Sequence, residues 1–293
     1  MTVTSYGDIV VPLCLIKNFK EKHQGKILFI TIAQMYDFAK FFKEIDDIIV
    51  VSKNYILYKI DKKTINSSRI VRGKIFILWC KDIFESKYKI NNIINRFSYI
   101  LKLKNRIDDI NTRLNIHSGQ SRMKYNNYAK DIFLFPEANA LNYKILSSNF
   151  WKELYNTLQT SGYNPIINTN SDEYKNYNCV FQSITDTIKI ASKCKAVISF
   201  RSGILDILAI SIPNKIFSIY PSDIHRVCLV YSDDKEKEFI KSNYSIYINN
   251  SLAQTELHLY SLKKIYKRKD IEEVLFNGNE EELISQINNF INK

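Results

Sequence analysis

Arg201, Ser202, Gly203 and Asp206 lie within six residues, directly after the apolar run AVISF (196–200) and at the head of a second one, ILDILAIS. A strand that ends in a small-residue turn and opens a helix aims backbone N–H groups at one point. Together with the helix dipole they suit an anionic group such as a diphosphate. Arg201 has the fork geometry for a bidentate phosphate contact. Asp206, four residues after Ser202 and so on the same helix face as the turn, can accept from a ribose hydroxyl. The same residues also allow a plainer reading. In it Gly203 only lets the chain turn, and Arg201 and Asp206 form a surface ion pair of little energetic weight.

Two other constellations could carry chemistry. Gly7-Asp8 precedes an apolar, helix-spaced run (9–19), which puts a carboxylate at a domain edge; Asp8 serves equally as a helix N-cap. The run FPEAN (135–139) follows a strand signal, so Glu137 and Asn139 fall in a strand-end loop, with Lys144 just beyond it as a point charge for phosphate oxygens. An exposed loop with a surface lysine is the competing reading. Trp151 is expected in the core.

The elements that must position these residues alternate. Strand runs are expected at 26–32, 48–52, 74–79, 131–135, 165–169, 196–200 and 215–220, with amphipathic helices at 33–44, 149–160, 183–194 and 202–211. Residues 82–114 have helical apolar spacing with a basic opposite face, and 257–266 reads as helix. Weaker helix and strand signals lie at 236–241 and 244–248. Asn279 caps a terminal helix with three glutamates in its first turn and an apolar stripe of Leu283, Ile284, Ile287 and Ile291. Continuously apolar strands between helices argue for an α/β architecture with parallel, helix-covered sheets. The polar stretch 117–130 reads as a linker. The expected organisation is therefore two Rossmann-like domains, 1–125 and 126–278, with parallel sheets facing a central cleft. The helix at 279–293 is free to dock back on the first domain.

The 293 residues leave ample room for two cores. The five cysteines and four histidines are scattered with no metal-ligand spacing, so no metal, cofactor or disulfide framework is expected, and a reducing cytoplasm fits best. No apolar run is long enough to span a membrane, and the start carries no basic signal-peptide region. Between Lys53 and Lys124, 17 Lys and Arg stand against five Asp and Glu, a surplus equal to the whole formal charge of +12. Nucleic acid, an anionic membrane face or an anionic substrate each suits such a surface. A bias of the chain toward Lys, Asn and Ile would produce the same surplus. The many Tyr and Phe rings sit in periodic apolar positions rather than as a stacking set, so nucleic acid is not an expected partner.

Three segments, in order, resemble the lipopolysaccharide heptosyltransferases (glycosyltransferase family 9). SYGDIVVPLCLIKNFKEKHQGKILFIT…IDDIIVVS is similar to the family's opening, with its Gly-Asp, helix, strand, helix and second strand. FLFPEANALNYKILSSNFWKELYNTLQTSGYNPII is similar to its strand-loop-Lys-Trp segment, and SITDTIKIASKCKAVISFRSGILDILAISIPNKIFSIYP to its donor motif. The resemblance implies a GT-B glycosyltransferase that is inverting and independent of metal, with the acceptor on the first domain and a nucleotide-sugar donor on the second. It implies Asp8 as general base, held by the Gly7 turn, Lys144 on donor phosphate, and Ser202-Gly203 as the donor turn. The acceptor would be a bacterial surface polysaccharide or lipooligosaccharide, reached at the inner face of the cytoplasmic membrane. The family has Asp where this chain has Arg201 and His where it has Asp206, which leaves the donor sugar open. A non-catalytic GT-B-like subunit of a polysaccharide assembly complex and a nucleotide-sugar epimerase are the alternative readings.

Overall fold

The computed structural model describes residues 10, 13–51, 103, 130–137, 146–221, 261–276 and 278–293. Gly7, Asp8, Asn139 and Lys144 lie outside them, as do the elements expected at 74–79, 82–114, 236–241 and 244–248. The chain divides into two compact units, Met1–Ile116 and His117–Lys293.

In the first unit a helix α1 (Ile16–His23) leads to strand β1 (Leu28–Thr31), helix α2 (Ala33–Ala39) and strand β2 (Asp47–Val50). Within the span expected as helix, 9–19, Val10, Leu13 and Cys14 are also helical, and α1 continues beyond it to His23. It stops where Gln24 turns left-handed (φ 49°) and its N–H closes on the Lys20 carbonyl. β1 and β2 pair in parallel, Leu28 opposite Asp47 and Thr31 opposite Val50. α2 buries Met35, Phe38 and Ala39. Asp46 ties the entry of β1 to α1: its carboxylate accepts from Lys20 and from the Ile27 amide at 2.7 Å, and both interactions hold its pKa below the usual carboxylate value.

The second unit is built on strands β3 (Asp131–Phe135), β4 (Asn164–Asn168), β5 (Cys179–Val180), β6 (Ala196–Phe200), β7 (Lys215–Pro221) and β8 (Ile271–Phe276). They form one sheet in the order β5-β4-β3-β6-β7-β8, and every adjacent pair is parallel. Numbered within the unit this is 3-2-1-4-5-6, the doubly wound order, in which the chain reverses direction of assembly between β3 and β6. All five residues of β6 are buried, which accounts for its unbroken apolar run.

The helices are α3 (Ser148–Thr160), α4 (Ile184–Ala191), α5 (Gly203–Ser211), the short α6 (Leu262–Ile265) and α7 (Glu280–Asn292). Three start on the caps their sequences offer: Ser147 accepts from the Phe150 amide, Ser183 from Asp186 and Asn279 from Glu282. α3 ends in a left-handed Gly162 (φ 84°), and the Tyr163 amide closes on the Leu158 carbonyl at 3.0 Å. One face of the sheet, with Ile132, Leu134, Ile198, Phe200, Phe217 and Ile219, packs on Phe150, Trp151, Leu154 and Leu158 of α3 and on Leu283, Ile287, Phe290 and Ile291 of α7. Trp151 meets Phe200 edge-on at 5.6 Å, as a core residue.

The apolar stripe of the terminal helix is buried against the second unit's own sheet. Residues 271–276, for which no element was expected, form β8, in which Glu272 and Glu273 interrupt the apolar run. All six pair with β7 from Ile216 to Pro221, and the carboxylate of Glu273 receives hydrogen bonds from neighbouring elements.

Candidate functional site

In an open parallel sheet, ligands bind beyond the carboxyl ends of the strands where the winding reverses. In the second unit those ends belong to β3 and β6. Glu137 and Arg201-Ser202-Gly203 are the described residues that follow them. Glu137 is exposed, and its carboxylate accepts from Thr169 Oγ1 at 3.2 Å, which links the end of β3 to that of β4.

The Arg201 amide donates to the Ile219 carbonyl at 2.8 Å and so continues the β6–β7 ladder one residue past the strand. Ser202 then takes the N-cap position of α5 in an extended conformation. Its side chain caps nothing, and its Oγ is buried without a hydrogen-bond partner. Its carbonyl accepts from the Leu205 amide at 3.0 Å and from Arg201 Nη1 at 2.9 Å. The Gly203 and Ile204 amides, which have no acceptor within α5, lie at the end of the sheet at the switch point.

Arg201 and Asp206 do not face outward side by side. The guanidinium grips the carboxylate with both nitrogens, Nη1–Oδ2 at 2.7 Å and Nη2–Oδ1 at 2.9 Å. Tyr266 donates its hydroxyl to Oδ1 at 2.9 Å. Asp206 is 2% exposed and the Arg201 side chain 11%. The plainer expectation of a mutual pair is thus the arrangement found, but the pair is buried, not a surface bridge. With both its oxygens engaged inside the protein, Asp206 does not present an acceptor to a ribose. Burial works against the charge of Arg201; the carboxylate of Asp206, together with Tyr220 and Tyr266, outweighs it and holds the guanidinium pKa above its ordinary value.

A second set of polar groups backs this pair. Tyr220, at the end of β7, donates to Glu273 Oε1 at 2.5 Å, and the same carboxylate accepts from Ser261 Oγ at 2.5 Å and the Leu262 amide at 2.7 Å. Burial pushes the Tyr220 hydroxyl well above its ordinary pKa; Arg201 pulls the other way and Glu273 adds to the rise. Sequence reasoning did not single out Tyr220, Glu273 or Tyr266. One signal was available: Ser199 and Arg201 on β6 and its extension, and Ser218 and Tyr220 on β7, are polar at every second residue. Ser199 and Ser218 lie in register, so one sheet face turns polar toward its carboxyl end. Among the described residues no three His, Cys, Asp or Glu side chains gather as a metal site, and no helix is long and apolar enough to cross a membrane.

No family model matches the sequence, and no curated protein does. Solved structures do. The E. coli heptosyltransferase WaaC with ADP-2-deoxy-2-fluoro heptose aligns with a TM-score of 0.61 over 99% of this chain and 97% of that one, at 10% identity. A glycosyl transferase family 9 protein from Veillonella parvula aligns at 0.54 over 99% and 95%, at 11% identity. E. coli ADP-heptose lipopolysaccharide heptosyltransferase II aligns at 0.52 over 99% and 96%, at 10% identity. The fold is GT-B. The resemblance read from three sequence segments thus holds at the level of the fold, for nearly the whole chain. In GT-B terms, the turn at Arg201-Ser202-Gly203 opens the helix after the fourth strand of the second unit's sheet.

Proposed function

We propose that the protein is an inverting glycosyltransferase that moves a sugar from a nucleotide-sugar to a bacterial surface polysaccharide or lipooligosaccharide. The observation that carries this reading is the start of α5. Its N-cap serine caps no amide with its side chain, and the Gly203 and Ile204 amides are left at the switch point of a doubly wound sheet. Backbone donors and a helix dipole suit the diphosphate of a nucleotide-sugar. The GT-B likeness, which includes a heptosyltransferase structure holding a nucleotide-sugar analogue, supports the same reading.

In the proposed reaction the carboxylate of Asp8, supported by the Gly7 turn, takes the proton of the acceptor hydroxyl. The acceptor oxygen attacks the anomeric carbon, and the bond from that carbon to the diphosphate oxygen breaks with its electron pair. Lys144 and the α5 N-terminus take up the charge of the leaving diphosphate. Asn139 and Glu137 would contact the donor in this reading. The acceptor would bind the first domain expected from the sequence (1–125), whose basic 53–124 region would meet a lipid-linked acceptor at the inner face of the cytoplasmic membrane.

Thermal-shift measurements with ADP, UDP, GDP and CMP test the donor site. At least one should raise the midpoint, and no shift with any of them would reject the reading. Asp8→Asn should abolish sugar transfer and leave nucleotide binding intact. A non-catalytic binding subunit is the second reading. The guanidinium of Arg201 and the carboxylate of Asp206 are engaged with each other inside the protein rather than turned toward a substrate, which favours it. Nucleotide binding with no transfer to any glycan acceptor would select it.

A further inference from the structure

The segment Ser261–Phe276 holds α5 at both ends. At the far end, Arg268 is 6% exposed and donates from Nη1 to the Ala209 and Ile212 carbonyls at 2.9 and 2.6 Å, and from Nη2 to the Asn214 carbonyl at 2.5 Å. A cation on the last carbonyls of a helix satisfies acceptors that have no intrahelical donor and opposes the negative end of the dipole. At the near end, Tyr266 reaches Asp206, Asp206 holds Arg201, and Arg201 holds the Ser202 carbonyl. Glu273 joins the same segment to Tyr220 at the end of β7.

We propose that Tyr266 and Asp206 are positioning residues that act through Arg201 to set the direction of the Ser202-Gly203 turn, rather than ligand-binding groups themselves. The argument has a geometric and an electrostatic part. The Ser202 carbonyl is drawn to the guanidinium side, which orients the peptide planes of the turn and leaves its N–H groups on the opposite side. Asp206 lies in the first turn of α5, where its charge alone would oppose an anion bound at the helix N-terminus. Pairing with Arg201 cancels that charge and keeps the helix end attractive to a phosphate. Tyr266 fixes Oδ1, so that Asp206 offers Arg201 one geometry only. That the turn receives a diphosphate rests on the proposed function; that the clasp sets the turn does not.

Tyr266→Phe removes one hydroxyl and keeps the ring. In hydrogen–deuterium exchange of the ligand-free full chain it should speed exchange of the 202–205 amides about tenfold, the scale of one hydrogen bond to a charged group. Exchange in β3 and α7 should stay as in the parent. The dissociation constants of ADP, UDP and GDP, measured by calorimetry, should rise about five- to tenfold for whichever of them the parent binds. Unchanged exchange at 202–205, loss of protection spread equally over β3 and α7, or unchanged nucleotide affinity would each overturn the proposal. If none of the three nucleotides nor CMP binds the parent, the donor reading fails, and the exchange experiment alone still decides the clasp.

Discussion

Arg201 and Asp206 show what burial does to a pair of charges. At the surface their contact would contribute less than about 1 kcal/mol. With Asp206 2% exposed, removal of either partner strands a charge in the interior. Asp206→Leu alone should therefore cost about 3–5 kcal/mol, whereas Arg201→Met with Asp206→Leu should recover most of that loss. Urea denaturation of the two variants and the parent measures both. A single variant as stable as the parent would show that the pair is not held in the interior. The same pair marks the limit of a residue-level reading. Five positions apart, the two side chains could have met each other or a ligand equally well. The hydroxyl that decides between these comes from Tyr266, sixty residues further along.

At the scale of elements, local chemistry sets most boundaries in the second unit. β3 and β6 occupy the apolar runs expected for them, 131–135 and 196–200, because both are central strands whose neighbours cover both faces. α3 begins on its serine and ends on its glycine. Gly162 holds φ at 84° with nothing within 4 Å of the place a Cβ would take. Gly162→Ala therefore meets no steric neighbour and should cost only the backbone strain, about 1 kcal/mol, seen as a lower denaturation midpoint. A neutral result would mean that the helix end relaxes out of the left-handed conformation. β8 was illegible for the opposite reason. Its glutamates are polar in sequence and acquire partners only through the fold. Glu273 is held by Tyr220 on one side and by the start of α6 on the other.

For the whole molecule, the terminal helix matters most. α7 closes the face of the sheet also covered by α3, and Phe290 stacks edge-on against Phe217 at 5.3 Å. Its five buried apolar side chains, Leu283, Ile284, Ile287, Phe290 and Ile291, contribute about 1.5–3 kcal/mol each, a sum comparable with the net stability of a domain. A chain ending at residue 278 should accordingly lose cooperative unfolding of the second unit, while a chain of residues 117–293 should keep it. Retained cooperativity in the shorter chain, followed by tryptophan fluorescence of Trp151, would show that α7 is dispensable to this core.

The sequence by itself determined the class of this protein. Alternation of apolar strands and amphipathic helices forces parallel sheets with covered faces, because only that arrangement buries strands apolar on both sides. It also located the turn that opens α5, since an apolar strand, a small-residue turn and a helix follow one another without a gap. What those residues do there was decided by the tertiary structure alone. Tyr266, from the segment after α6, reaches Asp206 beside the turn, and Glu273 of β8 holds Tyr220 of β7, only once the sheet is assembled. In that setting Arg201 and Asp206, which the sequence allowed either as two ligand contacts or as a surface pair, form a buried pair that holds the turn.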